Sequence, residues 1–335
     1  MIVRRNVKAL TAKERAALVD AFLALKQDGR YDMHVHAHHH AMIPTVFQSE
    51  PRDAGYRNGA HRGPAFLPWH RAFLLRVEAD LRSVDQTVSL PYWDWTTDAA
   101  LIDPTKSSLW DENFMGGNGV ELDGWRVATG QFAYSKGNWP IPEEMDGPAL
   151  RRRFAVALPT LPTVEDLALA MNEFLYDSPN YNSSPFTLGF RNRLEGWITQ
   201  RGDNRVKTPG SQLHNRVHLW VGGSMEPMTS PNDPVFFLHH CFIDKVWADW
   251  QSKQKEENPL AAPHYAPEAG GPKGHNLEDI LKPWRRKIRN VLDIGKLGYT
   301  YEQTALTQPK LISKMAALTQ PPSPFSAKKS PFWAD

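Results

Sequence analysis

A mainly α-helical protein is what the 335-residue sequence predicts, and three observations carry that prediction. Apolar residues recur at helical spacing in several separate runs. Residues that cap helices stand at the starts of those runs. The stretches between them are rich in Gly, Pro and Asn, which read as long ordered loops with few short strands.

The first helix begins at Thr11-Ala12-Lys13-Glu14, a capping box in which a hydroxyl and a carboxylate satisfy amides at the helix start. Leu18, Phe22 and Leu25 then follow on one face, and Asp28-Gly29 ends the run. A second helix is expected from about Tyr31 to Met42, with Tyr31, Val35, His38 and Met42 on one stripe. The segment FQSEPRDAGYRNGAHRG is loop and contains His61. Pro68, suited to a first helical turn, opens the third helix, whose stripe runs through His70, Phe73, Leu74, Val77 and Leu81. From about residue 100 to 160 little regular structure is expected. TVEDLALAMNEFL is the next helix, capped by Thr163. A short helix lies between Ser211 and Gly222-Gly223. SPNDPVFFLHHCFIDKVWADWQ, with Asp233 as cap and Pro234 as its first helical residue, is apolar on nearly every side and reads as the central buried helix. Residues 1–305 form the catalytic domain in this reading, and 306–335 a surface or disordered tail whose Phe325, Phe332 and Trp333 could serve as a lid.

Composition narrows the function. With 39 Lys+Arg against 37 Asp+Glu there is no basic stripe to suggest nucleic acid and no polybasic cluster to suggest a membrane. The N-terminus lacks an apolar run of signal-peptide length, and Cys241, the single cysteine, excludes an intramolecular disulfide. Eleven of the 13 histidines fall within residues 34–40, 61–70 and 214–240, a grouping that scattered structural histidines would not show.

His214 and His218 are four apart on a helix, so both imidazoles lie on one face, about 5–6 Å apart at Cβ. Leu213, Val217 and Trp220 place that face in the interior, and the central helix adds His239-His240. An unpaired polar ring there would cost roughly 1–3 kcal/mol, which metal coordination offsets. One histidine of the 34–40 helix, His61 and His70 form a second group on the same logic. An all-imidazole set suits copper, zinc, iron or nickel, and two triads fit two copper ions that bind O2 between them.

GAHRGPAFLPWHRAFLLRVEADL, LPYWDW, LHNRVHLWVGG and SPNDPVFFLHHCFIDKVWADWQ, in that order, closely resemble the bacterial tyrosinases of the type 3 copper family. The match spans roughly residues 30–255 and continues weakly through LKPW and GYTYE. The resemblance implies a four-helix bundle enclosing a dicopper centre, in agreement with inward-facing metal ligands in helix bundles. It implies that His38, His61 and His70 hold one copper (Cu-A) and that His214, His218 and His240 hold the other (Cu-B), with His39 as the alternative to His38. His239 then supports the ligands. It also implies ortho-hydroxylation of monophenols and oxidation of o-diphenols to o-quinones, with O2 as co-substrate. Glu195 and Asn215 match the pair that takes up the phenol proton. Phe236, four before His240, would sit over the substrate. Leu219 and Met228 would line the entrance, and Arg216 could supply charge for a substrate carboxylate. Gly59 and Ala60 stand where many fungal and plant members carry a cysteine linked to a ligand, so no thioether is expected. Alternatives are a catechol or o-aminophenol oxidase and, more remotely, a haemocyanin-like O2 carrier. The chain is expected in the cytoplasm, or exported with a copper-loading helper protein. Trp69, Trp93, Trp95 and Trp247 read as core packing, Asp94 and Asp244 as buried hydrogen-bond partners, and Arg71 as paired with an acid inside.

Overall fold

The computed structural model describes residues 1–42, 58–198, 212–257 and 265–302. A strand β1 (Ile2–Arg4) leads into helices α1 (Ala12–Gln27), α2 (Arg30–Met42), α3 (Phe66–Val84) and the single turn α4 (Trp95–Ala99). The capping box is present, with the Thr11 Oγ1 accepting from the Glu14 N–H and the Glu14 carboxylate accepting from the Thr11 N–H. A long loop region follows, built of 3-10 turns and the two-residue strands β2 (Gly119–Val120) and β3 (Arg126–Val127). Helices α5 (Val164–Met171), α6 (Phe190–Glu195), α7 (Leu213–Val221) and α8 (Val235–Glu257) complete the helical part. The short hairpin β4 (Ile280–Leu281) and β5 (Arg286–Lys287) precedes β6 (Tyr299–Tyr301), which pairs in parallel with β1.

Packing follows the apolar stripes. Helix α3 packs against α1 and α8, α1 against α2, and α7 against α8. Helix α8 is buried on all sides from Val235 to Trp247, so it forms the centre of the bundle. All four predicted core tryptophans, Trp69, Trp93, Trp95 and Trp247, are buried, and Trp69 Nε1 donates to the Lys282 carbonyl at 2.8 Å.

Three element boundaries differ from the expectation. Helix α3 starts at Phe66, which puts Pro68 third in the first turn. Helix α8 starts at Val235, with the Asp233 carboxylate accepting from the Val235 N–H at 3.0 Å. Helix α5 stops at Met171 instead of running on through Phe174 and Leu175. The Asn172 N–H closes the last turn on Ala168 and Ala170, and the next carbonyl, Glu173, accepts from Trp250 Nε1 at 2.7 Å. The predicted tail at 306–335 lies outside the described residues.

Beneath the bundle centre lies an ionic network. Asp244, on α8, accepts from Arg71 Nε at 2.5 Å, Arg4 Nη1 at 3.3 Å, the Tyr299 hydroxyl at 2.7 Å and the Tyr301 hydroxyl at 2.6 Å. Arg4 also donates to both oxygens of Glu78. Burial alone would raise the Asp244 carboxyl, but Arg71, Arg4 and the two hydroxyls outweigh it and hold it below the usual carboxylate range. The expected roles of Arg71 and Asp244 are met in one cluster. Asp94 accepts from the Thr96 N–H at the start of α4.

Candidate metal centre

Each helix delivers its histidines inward for a local reason. On α2 the stripe Tyr31, Val35, His38 is buried, and the Tyr31 hydroxyl anchors it on the Pro231 carbonyl at 2.6 Å. Of the five histidines in HVHAHHH, His38 alone joins the first group: His38, His61 and His70 bring one ring nitrogen each to within 4.8 Å of one another. His34 turns instead to Asp80, with Nε2 and Oδ2 3.0 Å apart. His61 is held in its loop by Asn58, whose Oδ1 accepts from the Ala60 and His61 N–H groups at 2.9 Å each. The second group is His214, His218, His239 and His240, on α7 and α8.

Hydrogen bonding fixes which nitrogen each ring presents. The Nδ1 atoms of His38, His70 and His218 donate to the carbonyls of Met228, Phe66 and Met225 at 2.9, 2.9 and 2.7 Å. His214 Nδ1 donates to Asn215 Oδ1 at 2.9 Å. A carbonyl can only accept, so the Nε2 of each of these rings carries a lone pair pointing inward. Among the described residues, the buried Nε2 atoms of His38 and His70 have no hydrogen-bond partner. His240 Nε2 lies 3.3 Å from both His214 Nε2 and His218 Nε2. Buried lone pairs converging at that distance are costly unless a cation joins them.

Burial keeps these rings neutral. Burial lowers His38 to about 3 and His218 to about 4, and it pushes His61, His70, His214, His239 and His240 well below the usual imidazole value. Once unfolded, the same rings take up protons near pH ~6.5. The metal-free protein therefore has its full stability above that pH and loses it progressively as the pH falls toward 4, because the unfolded chain binds more protons. Urea titrations of metal-free protein should show the midpoint falling between pH 7 and pH 5; a flat profile would contradict neutral burial.

The two groups meet face to face. The His70 and His240 rings stack with centroids 4.2 Å apart. Phe236 stacks on His240 at 4.0 Å and reaches His38 at 5.0 Å. Sequence reasoning missed its counterpart Phe66, whose ring lies 5.0 Å from His70 and 4.9 Å from His214. The signal was available, because Phe66 precedes His70 by four residues just as Phe236 precedes His240. His239, read as a supporting residue, stacks on His214 at 5.2 Å and makes the second group a set of four rings. His240 Nε2 lies 3.3 Å from the Nε2 atoms of both α7 histidines, and its ring stacks on His70 of the first group.

Glu195 is fully buried at the end of α6. It accepts from the Arg62 N–H at 2.6 Å and from Arg191 Nη1 at 3.1 Å. Burial raises its pKa despite Arg191 beside it. Gly196, at φ +105°, lets α6 end against α7: a Cβ there would lie 2.0 Å from the Gln212 carbonyl oxygen and 3.1 Å from the Asn215 Cβ. Gly196, the residue after Glu195, thus packs against the turn of α7 that carries Asn215. Leu219 is half-buried and Met228 exposed. Arg216 is directed away from His214 and His218. Its side chain is buried and donates to the Thr160 carbonyl at 2.8 Å and hydroxyl at 2.6 Å, because position 216 is on the opposite side of α7 from His214 and His218.

A helical bundle whose centre is two facing sets of buried, neutral imidazoles defines a dinuclear metalloprotein. Residues 28–253 match the family described as the common central domain of tyrosinase. The chain is 46% identical to a tyrosinase of Streptomyces glaucescens, over 85% of this chain and 93% of that one. It is likewise 46% identical to a tyrosinase of Streptomyces antibioticus, over 90% and 100%. Its fold matches that of a polyphenol oxidase from Thermothelomyces thermophila at a TM-score of 0.66 and 22% identity, over 90% and 89% of the two chains. The chain belongs to the tyrosinase family, and its reaction is the copper-dependent oxidation of phenols. No helix among the described residues is long and apolar enough to cross a membrane.

Proposed function

We propose that His38, His61 and His70 hold Cu-A and that His214, His218 and His240 hold Cu-B. With O2 as co-substrate, the chain hydroxylates monophenols at the ortho position and oxidises o-diphenols to o-quinones. The observation that carries this reading is the pair of inward-facing neutral triads joined through the His70–His240 stack at 4.2 Å. Imidazole donors without carboxylate suit copper in both of its oxidation states. Bound there, the two ions would supply activation of O2 and the two-electron oxidation of the phenol.

The chain's own groups do the rest. Phe66 and Phe236 keep water from the ligand nitrogens and give an aromatic substrate an edge to pack on. A free phenol holds its proton until about pH 10, so the substrate hydroxyl needs an acceptor at neutral pH. Glu195, its basicity raised by burial, takes that role through the neighbouring Asn215 position, while Asn215 Oδ1 holds His214 in its ligating tautomer. With Arg216 turned away, Leu219 and Met228 bring no charge to the rim, which favours a small phenol lacking a carboxylate. The copper-loading helper and export with it rest on the family resemblance.

The reading predicts two copper ions per chain and O2 uptake with a monophenol. One ion per chain, or uptake only with a catechol or o-aminophenol, would overturn it. Glu195→Gln is expected to lower kcat/KM for a monophenol about a hundredfold, the usual share of a general base. The same variant should leave o-diphenol oxidation within a few-fold of wild type. Equal loss with both substrates would remove Glu195 from the proton path.

A further inference from the structure

The three rings of the first metal group are not held alike. Those of His38 and His70 are fixed by their own Nδ1 bonds to backbone carbonyls. Among the described residues, the buried Nδ1 of His61 has no hydrogen-bond partner. The His61 ring therefore takes its place from the backbone of its loop. That loop is gripped at the amide joining Pro64 to Ala65, which lies between His61 and His70 in sequence. The Tyr176 hydroxyl donates to the Pro64 carbonyl at 2.6 Å. On the other side of the same amide, His275 Nδ1 accepts from the Ala65 N–H at 3.0 Å. An N–H can only donate, so the His275 ring presents a lone pair there. Tyr176, His275 and both residues of the amide are buried. Leaving either group of a buried amide unpaired would cost roughly 1–3 kcal/mol, and Ala65, the residue before α3, makes no side-chain cap of its own.

The two grips come from remote parts of the chain and brace each other. The Tyr176 carbonyl accepts from the Arg191 N–H at 2.9 Å, in the first turn of α6. That helix ends at Glu195, which accepts from the Arg62 N–H of the same loop. The His275 carbonyl accepts from the Tyr265 hydroxyl at 2.6 Å, and the Tyr265 ring lies 4.9 Å from that of Tyr176. We propose that Tyr176 and His275 are positioning residues for the reaction: by clamping the 64–65 amide from both sides, they set where His61 stands relative to His38 and His70. Both act through the loop. The clamp stands on its own geometry; its effect on copper rests on the reading of His61 as a Cu-A ligand.

The test uses copper-loaded enzyme with a chelator, and amide exchange. Tyr176→Phe and His275→Phe each remove one grip and keep a ring in place. Each should release one of the two ions to the chelator about tenfold faster than wild type, and the other at the wild-type rate, as for residues that support a ligand. His275→Asn, whose side-chain oxygen can stand near the Nδ1 position, should restore most of the retention. Tyr299→Phe removes the same kind of hydroxyl from the Asp244 network; it should lower the melting temperature and leave copper release unchanged. In metal-free protein, the amides of residues 58–65 should exchange about tenfold faster in Tyr176→Phe and His275→Phe, and at the wild-type rate in Tyr299→Phe. Wild-type release from both clamp variants, equal acceleration of the two ions, faster release from Tyr299→Phe, an asparagine variant no better than the phenylalanine one, or unchanged exchange over 58–65 would each overturn the proposal. Wild type that loads other than two ions would instead count against the buried copper pair; the exchange result, which needs no metal, still decides the clamp.

Discussion

A His240→Ala variant is expected to lose one of the two copper ions proposed for the centre, and its turnover of an o-diphenol to fall by about a thousandfold. The size follows from metal catalysis, which contributes several kcal/mol to the barrier, at about 1.4 kcal/mol per factor of ten. His240 is the critical ring because its Nε2 is 3.3 Å from those of both His214 and His218 and its face lies on His70. His239→Ala is the matched control: same helix, same burial, one less ring in the second group. It should keep both ions with modestly weaker affinity, about tenfold, as for a residue that supports ligands without being one. Copper content per chain and kcat, measured on both variants with unchanged far-ultraviolet circular dichroism, decide the assignment. The reverse pattern would transfer the ligand role to His239.

Asp244→Ala is expected to destabilise the protein by about 3–5 kcal/mol, the usual cost of removing one partner from a buried ion pair. The carboxylate serves two buried arginines and two buried tyrosine hydroxyls. Arg4 keeps Glu78, and Arg71 keeps Gln251 and two carbonyls, so neither is left without any acceptor. The expected fall in melting temperature is on the order of 10 °C. Asp244→Asn, which preserves shape and some of the hydrogen bonds, should lose less. Equal melting temperatures for wild type and the alanine variant would show that the network contributes little.

How much of this was readable in advance depends on whether a residue has a reference face. His70 shares a stripe with Phe73, Val77 and Leu81, and His214 and His218 share a face with their spacing fixed, so their inward direction follows from period alone. His38 was legible for the same reason, through Tyr31 and Val35. The choice between His239 and His240 was not, because α8 is apolar all round and offers no solvent side to count from. Arg216 was drawn to the site by nearness in sequence alone: two positions from both His214 and His218, it lies about 200° around the helix from each, on the opposite side. The depth of Glu195 was invisible because it depends on Arg191, itself held by Asp177 at 2.6 Å, a pairing that no local pattern encodes. The parallel pairing of β1 with β6 joins residues nearly 300 positions apart through strands too short for alternation to show.

That pairing of β1 with β6 has a temporal consequence during translation. Arg4 is made 297 residues before Tyr301, so its tyrosine neighbours and the strand that covers it emerge from the ribosome long after it does. The nascent polypeptide cannot finish its interior until then, whatever its early helices have done.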